Sequence, residues 1–172
     1  MLLLVGLGNP GSNYTNTRHN IGFKIIDAIN THFKLSKQKP KFKGLLTTGN
    51  IEEKKIYAIK PLTFMNNSGT AIKELIDYFK IDAKDVIVFH DDMDIDFGKI
   101  KAKFGGSSAG HNGIESIDKF IGKEYSRVRI GIGHPKQKRK VNNHVLEDFK
   151  EDEEEKIKEI TENIVKQIPT LI

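Results

Sequence analysis

The sequence predicts an α/β domain, on three observations. Short apolar runs of strand length alternate with helical patterns along its 172 residues. Two of the strand candidates, joined by a tight turn, form a hairpin and so make the sheet mixed rather than wholly parallel. Hydrophobic residues amount to 37% and no apolar run reaches the length of a membrane span, so residues 1–172 are expected to close over one core as a single domain.

Each element has its own warrant. Leu2 to Val5 is an apolar run, read as a buried strand. It opens into a loop rich in Gly, Asn, Pro and Thr that ends at Arg18-His19-Asn20. Ile21, Ile25, Ile26, Ile29 and Phe33 then recur at the spacing of an amphipathic helix. Lys34 to Lys43 reads as a basic linker, and 45–51 with 55–60 as the hairpin, turned by 50–54. After the loop Leu62 to Ser68, a helix from Gly69 to Phe79 carries Ala71, Ile72, Leu75, Ile76 and Phe79 as its apolar stripe. Asp85 to Phe89 is a buried strand with His90-Asp91-Asp92 crowded behind it. Gly98 to Phe104 alternates Lys99, Lys101 and Lys103 with Ile100, Ala102 and Phe104, as a half-buried strand does. A flexible glycine loop, Gly105 to Gly110, and His111-Asn112-Gly113 lead into a helix ending near Gly122. Ser126 to Gly133 alternates again, His134 to Lys140 is a basic loop, and a last helix spans Glu151 to Gln167. The acidic start of that helix, Glu151 to Glu155, suits the positive end of the helix dipole and reads as a cap and solvated face.

Composition narrows the chemistry. There are no cysteines, hence no disulfide, no thiolate nucleophile and no thiolate zinc site. The first strand begins at Leu2, leaving no room for a signal peptide, and a cytoplasmic protein is expected. Residues 1–146 hold 24 Lys and Arg against 14 Asp and Glu, whereas residues 147–172 hold 4 against 9. A basic body fits a polyanionic partner, most simply nucleic acid, or equally a solvated lysine-rich surface. Gly6, Gly8 and Gly11 match a dinucleotide fingerprint literally, but Pro10 and the polar run to Thr17 delay the helix that should meet a pyrophosphate. Their role is read as shaping a turn that presents Asn9. Asp92, Asp94 and Asp96 begin like a calcium loop, yet Gly98 falls one place late and Lys103 stands where a bidentate Glu is needed. An EF-hand is excluded, and magnesium is left as a lesser option.

The remaining polar groups cluster at strand ends and helix starts. They are Asn9 with Tyr14 and His19, then Met65-Asn66, then His90-Asp91-Asp92, then His111-Asn112. Several amides converging on a cleft suit recognition of peptide or carbonyl groups, although Asn66 and Asn112, each just ahead of a helix, would serve as caps equally well. His19 at a helix start is held neutral by the dipole, while a carboxylate partner, for which Asp91 is the natural choice, would favour the cation and orient the ring. A His–Asp pair without a Ser or Cys nucleophile suits a general base acting on water.

Taken in order, GLGNPG, TRHNIGF, PLTFMNNSG, HDDMD, GHNGIESI and RVRIGIGHP closely resemble the bacterial peptidyl-tRNA hydrolase family, over most of the chain up to Leu146. The resemblance implies a three-layer α/β/α domain with a twisted mixed sheet between helices, acting as a monomer without cofactor or metal. It implies hydrolysis of the ester between a peptide and the 3′ end of tRNA. His19 would be the general base, supported by Asp91, with Asn9, Asn66 and Asn112 around the ester. Tyr14, Met65 and His111 match further cleft positions. Lys103, Arg129 and Lys138 would contact the tRNA, the first two at a phosphate. The chain departs from the family pattern in the loop GGSSAG, where some members place another histidine, and in Asn142, Asn143 and His144. Two other classes compete: an RNA-binding module that would not need His19, and a nucleotide-dependent oxidoreductase, which would need the fingerprint rejected above.

Overall fold

The computed structural model describes residues 1–135 and 141–172. Its frame is a sheet of seven strands in the order β2-β3-β4-β1-β5-β7-β6. These are β1 (Leu2–Gly6), β2 (Lys39–Lys41), β3 (Gly44–Ile51), β4 (Lys54–Pro61), β5 (Val86–Asp92), β6 (Ile100–Phe104) and β7 (Ser126–Gly131). β1 lies at the centre, parallel to β4 and β5, and β5 is parallel to β7. The outer pairs β2–β3, β3–β4 and β6–β7 are antiparallel, so the sheet is mixed. The helices are α1 (Ile21–His32), α2 (Ser68–Phe79), α3 (Asn112–Ile121), α4 (Val141–Leu146) and α5 (Glu151–Leu171). No helix among the described residues is long and apolar enough to cross a membrane.

Alternation along the strands splits the core in two. Leu4, Ile87, Phe89, Val128 and Ile130 pack with Ile25 of α1 and Ile160 of α5. Leu3, Val5, Val86 and Val88 pack with Ile72 of α2 and Ile114 of α3. Three layers result, with the acidic α5 on one face and α3 on the other. Backbones meet where α1 crosses the end of β1. A Cβ on Gly6 would overlap the carbonyl of Gly22, and one on Gly22 would overlap the backbone of Leu7. Glycine at both places lets the first turn of α1, and the residues just before it, sit hard against the carboxyl end of the sheet.

Several elements differ from expectation. β5 runs on through Asp92, so His90, Asp91 and Asp92 belong to the strand and are buried. The linker 34–43 contains β2, an edge strand that tolerates Pro40 because one of its sides needs no ladder donor. β6 is exposed at all five residues rather than half-buried, because it is the other edge of the sheet. Both edges carry lysines, which discourage pairing with another chain. The last helix extends to Leu171, and a further short helix, α4, precedes it.

Candidate active site

The loop after β1 passes through two short 3-10 turns, Ser12–Tyr14 and Arg18–Asn20, and the second delivers His19 to the carboxyl end of β5. His19 Nδ1 lies 2.9 and 3.0 Å from the two carboxylate oxygens of Asp91. Asp91 Oδ1 also meets His111 Nε2 at 2.8 Å. His111 is the N-cap of α3, its Nδ1 accepting the backbone N–H groups of Gly113 (3.1 Å) and Ile114 (3.3 Å). With Nδ1 an acceptor, Nε2 carries the proton and donates it to Asp91. A carboxylate can only accept, so His19 likewise donates from Nδ1 and its Nε2 keeps a free lone pair. The capping role considered for Asn112 thus falls to His111, while Asn112 opens the helix and lines the cavity below.

Electrostatics follow from these contacts. Burial lowers the affinity of His19 for a proton, but the charge of Asp91 and its hydrogen bond outweigh burial, and the pKa is raised above the ordinary value. The direction is the one expected from the carboxylate partner. Burial also works against the charge on Asp91, yet the two imidazoles more than compensate and hold its carboxyl well below the usual range. His90, on the opposite side of the strand, donates from Nδ1 to the Asp91 carbonyl at 2.7 Å. Burial, with His111 nearby, pushes its pKa down to about 3, so it stays neutral.

His19, Asp91, His111 and Asn112 line a cavity of about 300 Å³, together with Asp92, the loop residues Ser108 to Gly110, His134 and Val145. Asn9, Tyr14, Met65 and Asn66 are not in that lining; they form a rim of two loops joined by the Asn9–Met65 contact. The Met65 N–H donates to Asn9 Oδ1 at 2.8 Å, which fixes the amide orientation and leaves Asn9 Nδ2 as the free donor. Tyr14 stands edge-on to the exposed Phe64, 6.4 Å between ring centroids. Met65 Sδ packs on Gly113, which joins this rim to the start of α3. Asn66 is exposed in the 3-10 turn Met65–Asn67.

Residues that sequence reasoning passed over hold this arrangement. Asn20, buried, clamps the Asn9 backbone from both sides: its Oδ1 accepts the Asn9 N–H at 2.8 Å and its Nδ2 donates to the Asn9 carbonyl at 2.9 Å. Arg18, also buried, donates to the His144 carbonyl (3.1 Å) and to Glu153 (3.1 Å), tying the turn that bears His19 to α4 and α5. Glu153, half-buried, is thereby a partner of Arg18 as well as a cap, not merely part of a solvated face. Only the presence of Arg18 and Asn20 beside His19 hinted at this, since their partners lie far away in sequence.

The basic residues form a row on the α3 face. In the β6–β7 register Lys101 stands opposite Arg129 and Lys103 opposite Arg127, so Lys103 and Arg129 are diagonal neighbours on one face. Arg129 is partly buried, with a guanidinium nitrogen 3.8 Å from Asp92. Arg127, which alternation puts on the same face two residues earlier, is buried and bonded to Asp118. Lys138 lies outside the described residues.

Among the described residues, only His19, Asp91 and His111 bring ligand-type atoms together, within 4.8 Å of one another. Asp92, Asp94 and Asp96 do not gather in this way; Asp92 accepts the Asp94 N–H in a local turn. A metal at the His–Asp–His group would have to displace the two protons directed at Asp91, and His111 could not shift its proton to Nδ1 without losing the cap.

The family model for peptidyl-tRNA hydrolase matches residues 3–172. A peptidyl-tRNA hydrolase of Pelagibacter ubique is 73% identical over 172 residues, covering 100% of this chain and 92% of that protein. One of Bartonella henselae is 46% identical over 172 residues, 100% of this chain and 89% of that one. The crystal structure of the Acinetobacter baumannii peptidyl-tRNA hydrolase superposes with a TM-score of 0.91 at 36% identity, covering 99% of this chain and 89% of that one. In sequence and in fold alike, the chain belongs to the peptidyl-tRNA hydrolase family of enzymes.

Proposed function

We propose that the protein hydrolyses the ester between a peptide and the 3′ end of tRNA, with His19 as the general base. The observation that carries this reading is the His19–Asp91 contact of 2.9 Å, which leaves Nε2 as the unoccupied nitrogen of a ring that lines the cavity. In this reading His19 Nε2 takes a proton from water as the water oxygen attacks the ester carbonyl. Asp91 stabilises the imidazolium that results, and His111 holds Asp91 from its other side. The amide N–H groups of Asn9 and Asn112 donate to the developing oxyanion. Collapse breaks the bond to the ribose oxygen, which takes the proton back from His19, leaving peptide acid and free tRNA. An ester needs no stronger assistance, because its alkoxide leaves more readily than an amide nitrogen.

The rim of Tyr14, Met65 and Asn66 would hold the peptide. The row containing Lys103 and Arg129 would receive phosphate, Arg129 offering a planar fork and Lys103 a point charge. Lys138, in the basic sequence His134 to Lys140, is proposed for the acceptor stem. Charge segregation favours this approach, since the acidic α5 lies across the sheet from the basic row. The protein would act as a cytoplasmic monomer without a cofactor. The test is peptide release from purified peptidyl-tRNA by the wild type and by His19→Ala. Release at an equal rate by both would leave an RNA-binding protein without this chemistry.

A further inference from the structure

Arg127 stands in the basic row of β7, beside Lys103 by register and two residues before Arg129, yet only 2% of it is exposed. One guanidinium nitrogen donates to Asp118 Oδ1 on α3 at 2.9 Å, and the other donates to the carbonyl of Ser107 in the glycine loop at 3.1 Å. The guanidinium rests over the ring of Tyr125, 4.5 Å from its centroid. The Tyr125 hydroxyl donates to the same Asp118 oxygen at 2.8 Å, and the Tyr125 carbonyl accepts the N–H of Gly105 at 2.9 Å. Burial, with the Asp118 hydrogen bond, pushes the Tyr125 phenol up, so it remains a donor.

The two bonds of Arg127 bracket a segment. Between Ser107 and Asp118 lie Ser108 to Gly110, which line the cavity, and His111 and Asn112. The His111 N–H donates to the Ser108 carbonyl at 3.0 Å, so a displacement of the loop passes directly to the residue that holds Asp91. The loop's other hydrogen bonds are local or exposed: Ser107 Oγ accepts the Ala109 N–H at 3.0 Å, and Ser108 Oγ accepts the Gly110 N–H and donates to Glu115, both at 3.4 Å. We infer that Arg127 is a positioning residue for hydrolysis rather than an RNA contact: it pins both ends of the segment 107–118 to β7 and thereby sets His111 against Asp91 and Asn112 at the cavity. This rests on the hydrolytic reading above.

The test uses Arg127→Lys, which keeps the charge but loses the fork, and Asp118→Asn, which leaves Arg127 charged. Each is assayed on full-length peptidyl-tRNA and on a peptidyl ester of the trinucleotide CCA. Both variants should lower kcat roughly tenfold or more on both substrates, as small displacements of positioned groups do. The salt dependence of KM should be unchanged, because no phosphate contact is lost. Amide exchange at 108–111 should quicken, while β1 and β5 keep wild-type protection. A loss confined to full-length substrate, with a shallower salt slope, would overturn the inference and make Arg127 an RNA ligand. A lower Tm with unchanged kcat per folded molecule would overturn it in favour of a purely structural role. If Arg127→Lys does not fold, Asp118→Asn and Tyr125→Phe carry the same comparison. The exchange arm needs no substrate, so it still decides the anchoring if the wild type were to release no peptide; that result would instead sink the hydrolytic reading.

Discussion

At the carboxyl end of β5, Asp91 meets two imidazoles within 3.0 Å, and the tautomers are set because the carboxylate accepts from both rings while the first N–H groups of α3 donate to His111 Nδ1. Two strands away, β6 presents Lys101 and Lys103 from an edge where every residue is exposed. The first region is rigid because its polar groups are buried and cannot go unpaired without a large cost. The second is held by little besides its ladder, and its long side chains stay in water. The comparison shows two kinds of construction on one sheet. Groups proposed to act on a single bond are placed by short, buried hydrogen bonds. Groups proposed to receive a charged backbone are left adaptable, as long-range attraction permits.

Breaking the rigid region should give the largest effects. His19→Ala should lower kcat by about two to four orders of magnitude, the range typical of a general base, while tRNA affinity stays near wild type. Stopped assays of release beside filter binding would show this, and an equal loss in both would argue that His19 serves binding. Asp91→Asn should cost less, roughly ten- to a hundredfold, since the base remains but is poorly oriented. Its pH profile sharpens the point. His19 must be neutral to act, so kcat/KM falls as pH drops through its pKa, which Asp91 raises. With the carboxylate gone, burial alone acts on the ring, and the acid limb should move to lower pH. An unmoved limb would mean that another group titrates.

Asn20→Ala tests the support behind the site. Two hydrogen bonds to the Asn9 backbone disappear and leave buried groups unpaired, a loss of about 2–4 kcal/mol of stability measurable by denaturant unfolding. The smallest effects belong to the adaptable region. Lys103→Ala or Arg129→Ala should raise KM for full-length substrate with kcat nearly kept, and should reduce the salt slope by roughly one contact. A peptidyl ester lacking the 5′ phosphate should be indifferent to both changes. If that small substrate suffered equally, the basic row would be serving the fold.

Much of this was legible in the chain itself. The alternation of apolar runs with helical periods is a local property, and it foretells a mixed α/β sheet whatever the rest of the molecule does. The six motifs in order point to the family, and they put the chemistry-bearing residues at strand ends and helix starts, where the α/β fold gathers them. The long-range pairings were not legible. That Arg18 is buried follows from a carbonyl 126 positions away, and that Arg127 is buried follows from Asp118 and Ser107. Alternation marked Arg127 and Arg129 as one face of one strand, but it could not say that a loop and a helix would cover only the first. Nor could it say that β6 is an edge, because strand order is decided by which strands the chain brings side by side. That His111 caps α3 with one nitrogen and holds Asp91 with the other was equally hidden. Periodicity records the face on which a side chain lies; only the packed structure decides what lies opposite it.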